Sequence, residues 1–170
     1  MTMPARTPKQ QYLDAYDREH ATTTRVLRAY PVDRLDLRPH PKCKTARELA
    51  WVFIVEMGLT DLVLNDGLRN GIPSMDQPAP PEAWSALLGA FESAHNKSRA
   101  LVAGMTDETL HKTVKFFTGP KTMTDVVRMD FLWFMLSDHI HHRGQFSIYL
   151  RMADGKVPSI YGPSADESWL

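Results

Sequence analysis

Proline and glycine cut this chain into four long segments that can be helical, and the breaks between them leave little room for any other architecture. Pro31, Pro39 and Pro41 fall in one stretch, YPVDRLDLRPHPKC, where each removes a backbone donor and pushes its predecessor out of the helical region. A second break covers residues 70–84, NGIPSMDQPAPPEAW, and a third is the turn at Gly119-Pro120. Between the breaks, apolar residues recur at helical spacing.

The first segment runs from about Pro8 to Tyr30 and carries Leu13, Tyr16, His20, Val26 and Leu27 at near-helical intervals. The second opens on Thr45 with Glu48 three residues later, the spacing of a capping box, and continues to about Arg69. Its apolar residues surround much of the helix, which predicts deep burial. The third runs from Pro81, placed in the first turn where proline is tolerated, to Gly104. The fourth starts in the Thr/Asp-rich stretch at Thr122 and ends near Gly155. Between the third and fourth, TDETLH predicts a short helical turn and TVKFF a short extended piece with no evident partner strand. The tail, KVPSIYGPSADESWL, is too rich in Pro and Gly for helix and too apolar to float, so it should pack on the rest. The whole, residues 1–170, reads as one all-α domain, a helix bundle.

Twenty basic residues balance twenty acidic ones without a run of like charge, so nothing electrostatic calls for nucleic acid or an anionic membrane. The first twenty residues lack an apolar core, and no stretch stays apolar for the roughly 18 residues of a spanning helix, so a cytoplasmic protein is expected. Cys43 is the only cysteine, which excludes an internal disulfide and a thiolate cluster. Any metal must be held by His, Asp or Glu. Gly-rich phosphate loops and the G-x-S-x-G elbow are absent, and Cys43, among prolines and without a local base, reads as structural rather than nucleophilic.

The stretch SDHIHHRGQ, residues 137–145, concentrates the chemistry. Phe131, Phe134, Met135, Asp138, His142, Gln145 and Tyr149 share one helical stripe that begins apolar and turns polar. Asp138 and His142 are one turn apart, so both can reach one ion. In the second helix, Glu56 is the only acid between Leu49 and Leu59, and a carboxylate buried there needs a cation, a proton donor or a metal. If the two helices face each other, Glu56, Asp138 and His142 form a three-ligand site with open positions. His141, three residues from Asp138, would assist or replace His142. Arg143 would neutralise Glu56 or Asp138. His139 is expected on another, exposed face, and His20 half-buried. Tyr12, Tyr16, Trp51, Trp84, Phe131, Trp133 and Phe134 are expected in the core. The competing reading is plain: an Asp followed by a His one turn later is common on solvated helix faces.

The ending HIHHRGQFSIYLRMADGKVPSIYGPSADE, with LDLRPHPKCKTARELAW leading into the second helix, resembles the DinB-like family, the DinB/YfiT-type metalloenzymes, and the order of elements matches over nearly the whole chain. The resemblance implies an up-down-down-up four-helix bundle, often a homodimer, with a divalent metal held by three histidines. Relatives include transferases and isomerases that use low-molecular-weight thiols. Carried over position by position, the second histidine of the last helix matches His142, but the first falls on Asp138, and the second-helix histidine falls on Val52. Two outcomes follow. In one, Asp138 and Glu56 replace the missing histidines, and the oxygen-rich set shifts preference from Ni or Zn toward Mn, Fe or Mg. The chain would then be a metal-dependent transferase or hydrolase acting on a small molecule, with His141 as donor or general base and Arg143 positioning an anionic group. In the other, the metal is lost and the chain is a non-catalytic bundle that binds a small ligand or a protein partner.

Overall fold

Thr7 starts the first helix by accepting the Gln10 amide on its hydroxyl while the Gln10 side chain returns to the Thr7 N–H. This reciprocal cap, with Pro8 behind it, opens α1, Pro8–Arg28. Thr45 and Glu48 build the same box ahead of α2, Ala46–Leu64, as the spacing predicts. The computed structural model describes residues 5–73 and 78–170; of the turn-rich run 70–84, residues 74–77 lie outside the described residues. The third helix, α3, is Trp84–Gly104. It starts after Pro81, with Ala83 in extended conformation as its uncapped N-cap. A single turn, α4 (Asp107–His111), leads into strands β1 (Thr113–Gly119) and β2 (Thr122–Val127), and α5 occupies Arg128–Met152.

The expectation that the last helix begins at Thr122 is therefore wrong, and with it the idea that TVKFF lacks a partner. TMTDVV is rich in the β-branched residues that suit a pleated surface, and it pairs antiparallel with β1, Thr113 opposite Val127 and Phe117 opposite Met123. Val114 and Phe116 of β1 point inward, and the Phe116 ring lies 4.7 Å from that of Phe131. Arg128 fixes the junction. Its buried guanidinium donates to Asp66 Oδ2 (2.9 Å), the Thr113 carbonyl (3.2 Å) and the Leu64 carbonyl at the end of α2 (3.4 Å).

The second helix also stops short of Arg69. Asp66 takes the left-handed conformation (φ 61°) and the Gly67 N–H reaches back to the Leu62 carbonyl, a Schellman ending. The same Asp-Gly device ends α5, where Asp154 has φ 60° and the Gly155 N–H bonds the Leu150 carbonyl. A Cβ at Gly155 would stand 2.2 Å from Leu150 Cδ1 and 3.1 Å from the Leu150 carbonyl oxygen, so the turn needs glycine.

Each of α1 and α2 packs on both α3 and α5. Lys9 of α1 reaches the Met105 carbonyl beyond α3, whereas Arg47 of α2 reaches Glu82 just before α3 and Asp61 meets Ser98. Hence α1 runs against α3 and α2 runs along it. Arg128 at the start of α5 meets the end of α2, and α5 runs alongside α1. The bundle is up-down-down-up, as the resemblance implies. The tail packs on it as expected, with Val157 and Ile160 against the core and Glu167 paired to Arg25. Among the described residues, no helix is long and apolar enough to cross a membrane.

The apolar interior comes in two clusters, one around Leu27, Phe53, Leu87 and Phe146, the other around Tyr12, Leu64, Phe131 and Leu132. Tyr12, Tyr16, Trp84 and Phe131 are buried as expected, but Trp133 and Phe134 are exposed on the outer face of α5. Between the clusters lie polar side chains at the middle of the helices: Glu19, Glu56, His95 and Arg143 are all buried. Arg143, 1% exposed, does not face Glu56 or Asp138. It turns to α1, where Nη1 stands 2.8 Å from Glu19 Oε2, and it donates to the Tyr161 hydroxyl of the tail at 2.5 Å. Tyr161 in turn donates to Glu19 at 2.7 Å. Burial alone would raise the Glu19 pKa, but the bonds from Tyr161 and Arg143 and the Arg143 charge hold it below the ordinary value.

Beside this network, His20 and His95 stack with ring centroids 3.7 Å apart. His20 Nε2 is 3.0 Å from Glu92 and His95 Nε2 is 3.2 Å from Asp17, while the Nδ1 atoms of both are buried without partners. Burial, then the nearness of His20, pushes the His95 pKa down to about 4, against the pull of Asp17 and Glu92.

Two consequences are measurable. Arg143→Met should cost roughly 3–5 kcal/mol, the penalty for stranding Glu19, and adding Glu19→Leu should recover part of it; urea midpoints of the two variants decide. The unfolded chain protonates His95 near pH 6.5 and the folded one only near 4. Between those values the unfolded state binds more protons, so stability falls as pH falls, by at most about 1.4 kcal/mol per pH unit from this group. His95→Phe keeps the stack and should flatten the loss of stability between pH 6.5 and 4, read from denaturation at several pH values.

Candidate functional site

Glu56 sits one turn beyond Val52, on the α2 face that also carries Phe53 and Thr60, and is 8% exposed. Opposite it, α5 presents Asp138 and His142. One ligand atom from each of Glu56, Asp138 and His142 can be chosen so that all lie within 4.8 Å of one another. His142 Nδ1 is 3.0 Å from Glu56 Oε1 and 3.8 Å from Asp138 Oδ1. The three residues expected to converge do so.

His139 is the correction. Expected on an exposed face, it is tucked inward with Nε2 3.2 Å from Glu56 Oε2, so the Glu56 carboxylate lies between two histidines. The physical reason is its place on α5: it follows Met135 and precedes Arg143 by one turn each, both of them buried. The polar stripe drawn through Asp138 and His142 passes His139 by, whereas the core stripe includes it. His95 has the same signature, one turn after the buried Phe91 on α3. His141 is exposed. Its Nε2 is 2.9 Å from Gln145 Nε2, and its ring lies 5.5 Å from that of His142, so it stands at the rim of the site.

The contacts around Glu56 are close without being good hydrogen bonds. Glu56 Oε2, His139 Nε2 and His142 Nδ1 are all buried without a hydrogen-bond partner, although 3.0–3.2 Å separates them from neighbours, because the donor–acceptor lines are poorly aligned. Burial raises the Glu56 pKa, with the nearby His142 pulling it back and the Asp138 charge adding to the rise. Contact with Glu56 raises the His142 pKa against its burial, and the charges of Glu56 and Asp138 add to the effect. Burial, then the His142 charge, pushes His139 down to about 3, so it is neutral at pH 7.

These donors fit a divalent cation. Ligand atoms bound 2.0–2.2 Å from one ion stand roughly 2.8–3.6 Å apart at octahedral to tetrahedral angles; His142 Nδ1 meets this with Glu56 Oε1 at 3.0 Å and nearly so with Asp138 Oδ1 at 3.8 Å, and the whole set lies within 4.8 Å. Two carboxylates and a neutral imidazole also balance a double positive charge. His142 would lose its proton on metal uptake, so uptake would be proton-linked.

His142 also forms part of the wall of a cleft of about 470 Å³ between α5 and the segment leading into α2. Cys43, Leu49, Ile148 and Tyr149 line it, with Gln145 beside His142. The Tyr149 hydroxyl is occupied by the Lys44 carbonyl at 3.0 Å, and Cys43 is half-buried.

Comparison with known proteins agrees with this architecture. Among curated proteins, the chain is 25% identical over 156 residues to the "Uncharacterized protein YrdA" of Bacillus subtilis (strain 168), covering 92% of this chain and 89% of that one. Among solved structures, it is similar to a DinB-like protein from Bacillus cereus ATCC 10987, with a TM-score of 0.70 and 22% identity over 88% of this chain and 95% of that one. It is also similar to the DinB-like protein YjoA of Bacillus subtilis, with a TM-score of 0.65 and 16% identity over 85% and 92% of the two chains. At these identities the two structures speak to the fold alone. The DinB family model matches residues 3–169, essentially the whole described bundle, and the chain belongs to the DinB family.

Proposed function

We propose that the chain is a divalent-metal-dependent enzyme, a transferase or hydrolase acting on a small molecule, with Glu56, Asp138 and His142 as the protein ligands. The observation that carries this reading is the convergence of three ligand atoms, two of the residues holding buried donor or acceptor atoms that no hydrogen bond uses. A bound divalent ion supplies Lewis acidity and lowers the pKa of a water or thiol beside it. Glu56 and Asp138 contribute the negative charge, and the neutral His139, whose Nε2 lies 3.2 Å from Glu56 Oε2 without a hydrogen bond, would gain one if the carboxylate realigned around an ion. We assign His141, at the rim beside His142, as general base, a role that requires its Nε2 to be released from the Gln145 amide that donates to it. Arg143, committed to Glu19, takes no part in holding substrate. The oxygen-rich set favours Mn or Fe over Ni or Zn. A homodimer in the cytoplasm completes the proposal.

The second reading keeps Glu56 and His142 as an ion pair without metal, which the raised His142 pKa supports and the raised Glu56 pKa opposes. Elemental analysis of tag-free protein incubated with Mn, Fe, Zn or Ni separates the two. The expected result is one ion per chain, with Glu56→Gln and His142→Ala each weakening uptake tenfold or more. Wild-type protein that retains no ion, together with a Glu56→Gln variant that only loses stability, would establish the ion pair instead.

A further inference from the structure

We infer that the cleft beside His142 takes a substrate with an apolar body and a single oxygen-donor head, the head reaching the Glu56–Asp138–His142 set. This deepens the metal-site proposal and rests on it for the position of the head. The cleft's volume of about 470 Å³ is that of a small-molecule site, where apolar walls bind and a few polar groups orient. Its walls are Leu49, Ile148, the Tyr149 ring and the Cys43 side chain.

The polar capacity of those walls is small and placed at one end. Tyr149 spends its hydroxyl proton on the Lys44 carbonyl, so it offers the cleft mainly its ring. Among the described residues lining the cleft, none carries a carboxylate or a guanidinium, and Lys44 is exposed. His142 and Gln145 are left as the orienting groups, adjacent on α5. A substrate with polar groups along its whole length would lose its water there and find few partners. One with an apolar body loses nothing of that kind and gains burial. Ile148, 60% exposed, is the wall residue whose side chain such a body would cover.

Straight-chain alkyl hydroxamates test both ends, because the hydroxamate binds metals and the chain length is adjustable. Calorimetry on Mn-loaded protein should show acetohydroxamate binding, with affinity rising roughly fourfold per added methylene up to octanohydroxamate. Ile148→Asp should leave acetohydroxamate affinity unchanged and flatten that rise. Butanol to octanol, titrated into metal-free protein while the Ile148 and Leu49 methyl resonances are followed, should show the same chain-length trend. Hydroxamates that bind with no chain-length trend would overturn the apolar body and leave the metal proposal standing. An Ile148→Asp variant that instead dissociates a dimer would overturn it in the same way, since the cleft would then be covered by a second copy. Alcohols that show the trend while acetohydroxamate fails to bind the Mn-loaded protein would overturn the placement of the head and leave the apolar body standing; the metal proposal itself falls only if elemental analysis finds no ion.

Discussion

Glu56 brings a carboxylate into a stretch of α2 that is otherwise apolar, and much of the middle of the bundle is arranged to tolerate it. A lone buried carboxylate costs several kcal/mol unless something compensates it. Here the compensation comes from α5, which places His142 against one oxygen and His139 against the other. The interior is accordingly two apolar clusters with a polar layer at mid-height, where each of the four long helices contributes at least one buried polar side chain.

One turn of α5 serves two acids in opposite directions. Glu19 on α1 and Glu56 on α2 occupy diagonal helices, each packed against α5. Arg143, always charged, faces the buried carboxylate of Glu19 and ties the tail to α1 through Tyr161. His142, the next residue back, faces Glu56 with a group that can give up its proton. Consecutive positions thus separate a permanent structural charge from an exchangeable one, a division suited to a site that must be rigid on one side and able to bind on the other.

Much of this is legible in the residues. The capping box at Thr45 and Glu48, the packed tail and the three converging ligands follow from local spacing, and the family's bundle order follows from the closing motif. The β-hairpin is not legible as long as Thr122–Val127 is joined to the helix that follows, because neither strand is a strong signal alone and each is recognised only through the other. His139 escapes for a related reason: a polar residue on a core stripe looks, by periodicity, like a residue on the wrong face. Arg143 pairs with a different acid from the one expected because spacing along α5 gives its direction only once the positions of α1 and α2 around the bundle are known. The stop of α2 at Asp66-Gly67 is present in the sequence, and its twin at Asp154-Gly155 marks the end of α5 correctly.

The choice between an ion pair and a ligand set turns on alignment more than on distance. An isolated Glu–His pair in a polar layer gains most when N–H points at oxygen. Around Glu56 the atoms are close and the lines are poor, while ligand atoms of Glu56, Asp138 and His142 lie within 4.8 Å of one another. Asp138 sharpens the point. A third group with a second negative charge burdens an ion pair, since it adds to the rise in the Glu56 pKa, whereas for a divalent cation it completes neutrality. The substitution that looks like damage to a three-histidine site is, on charge, the one that lets Glu56 serve as its replacement.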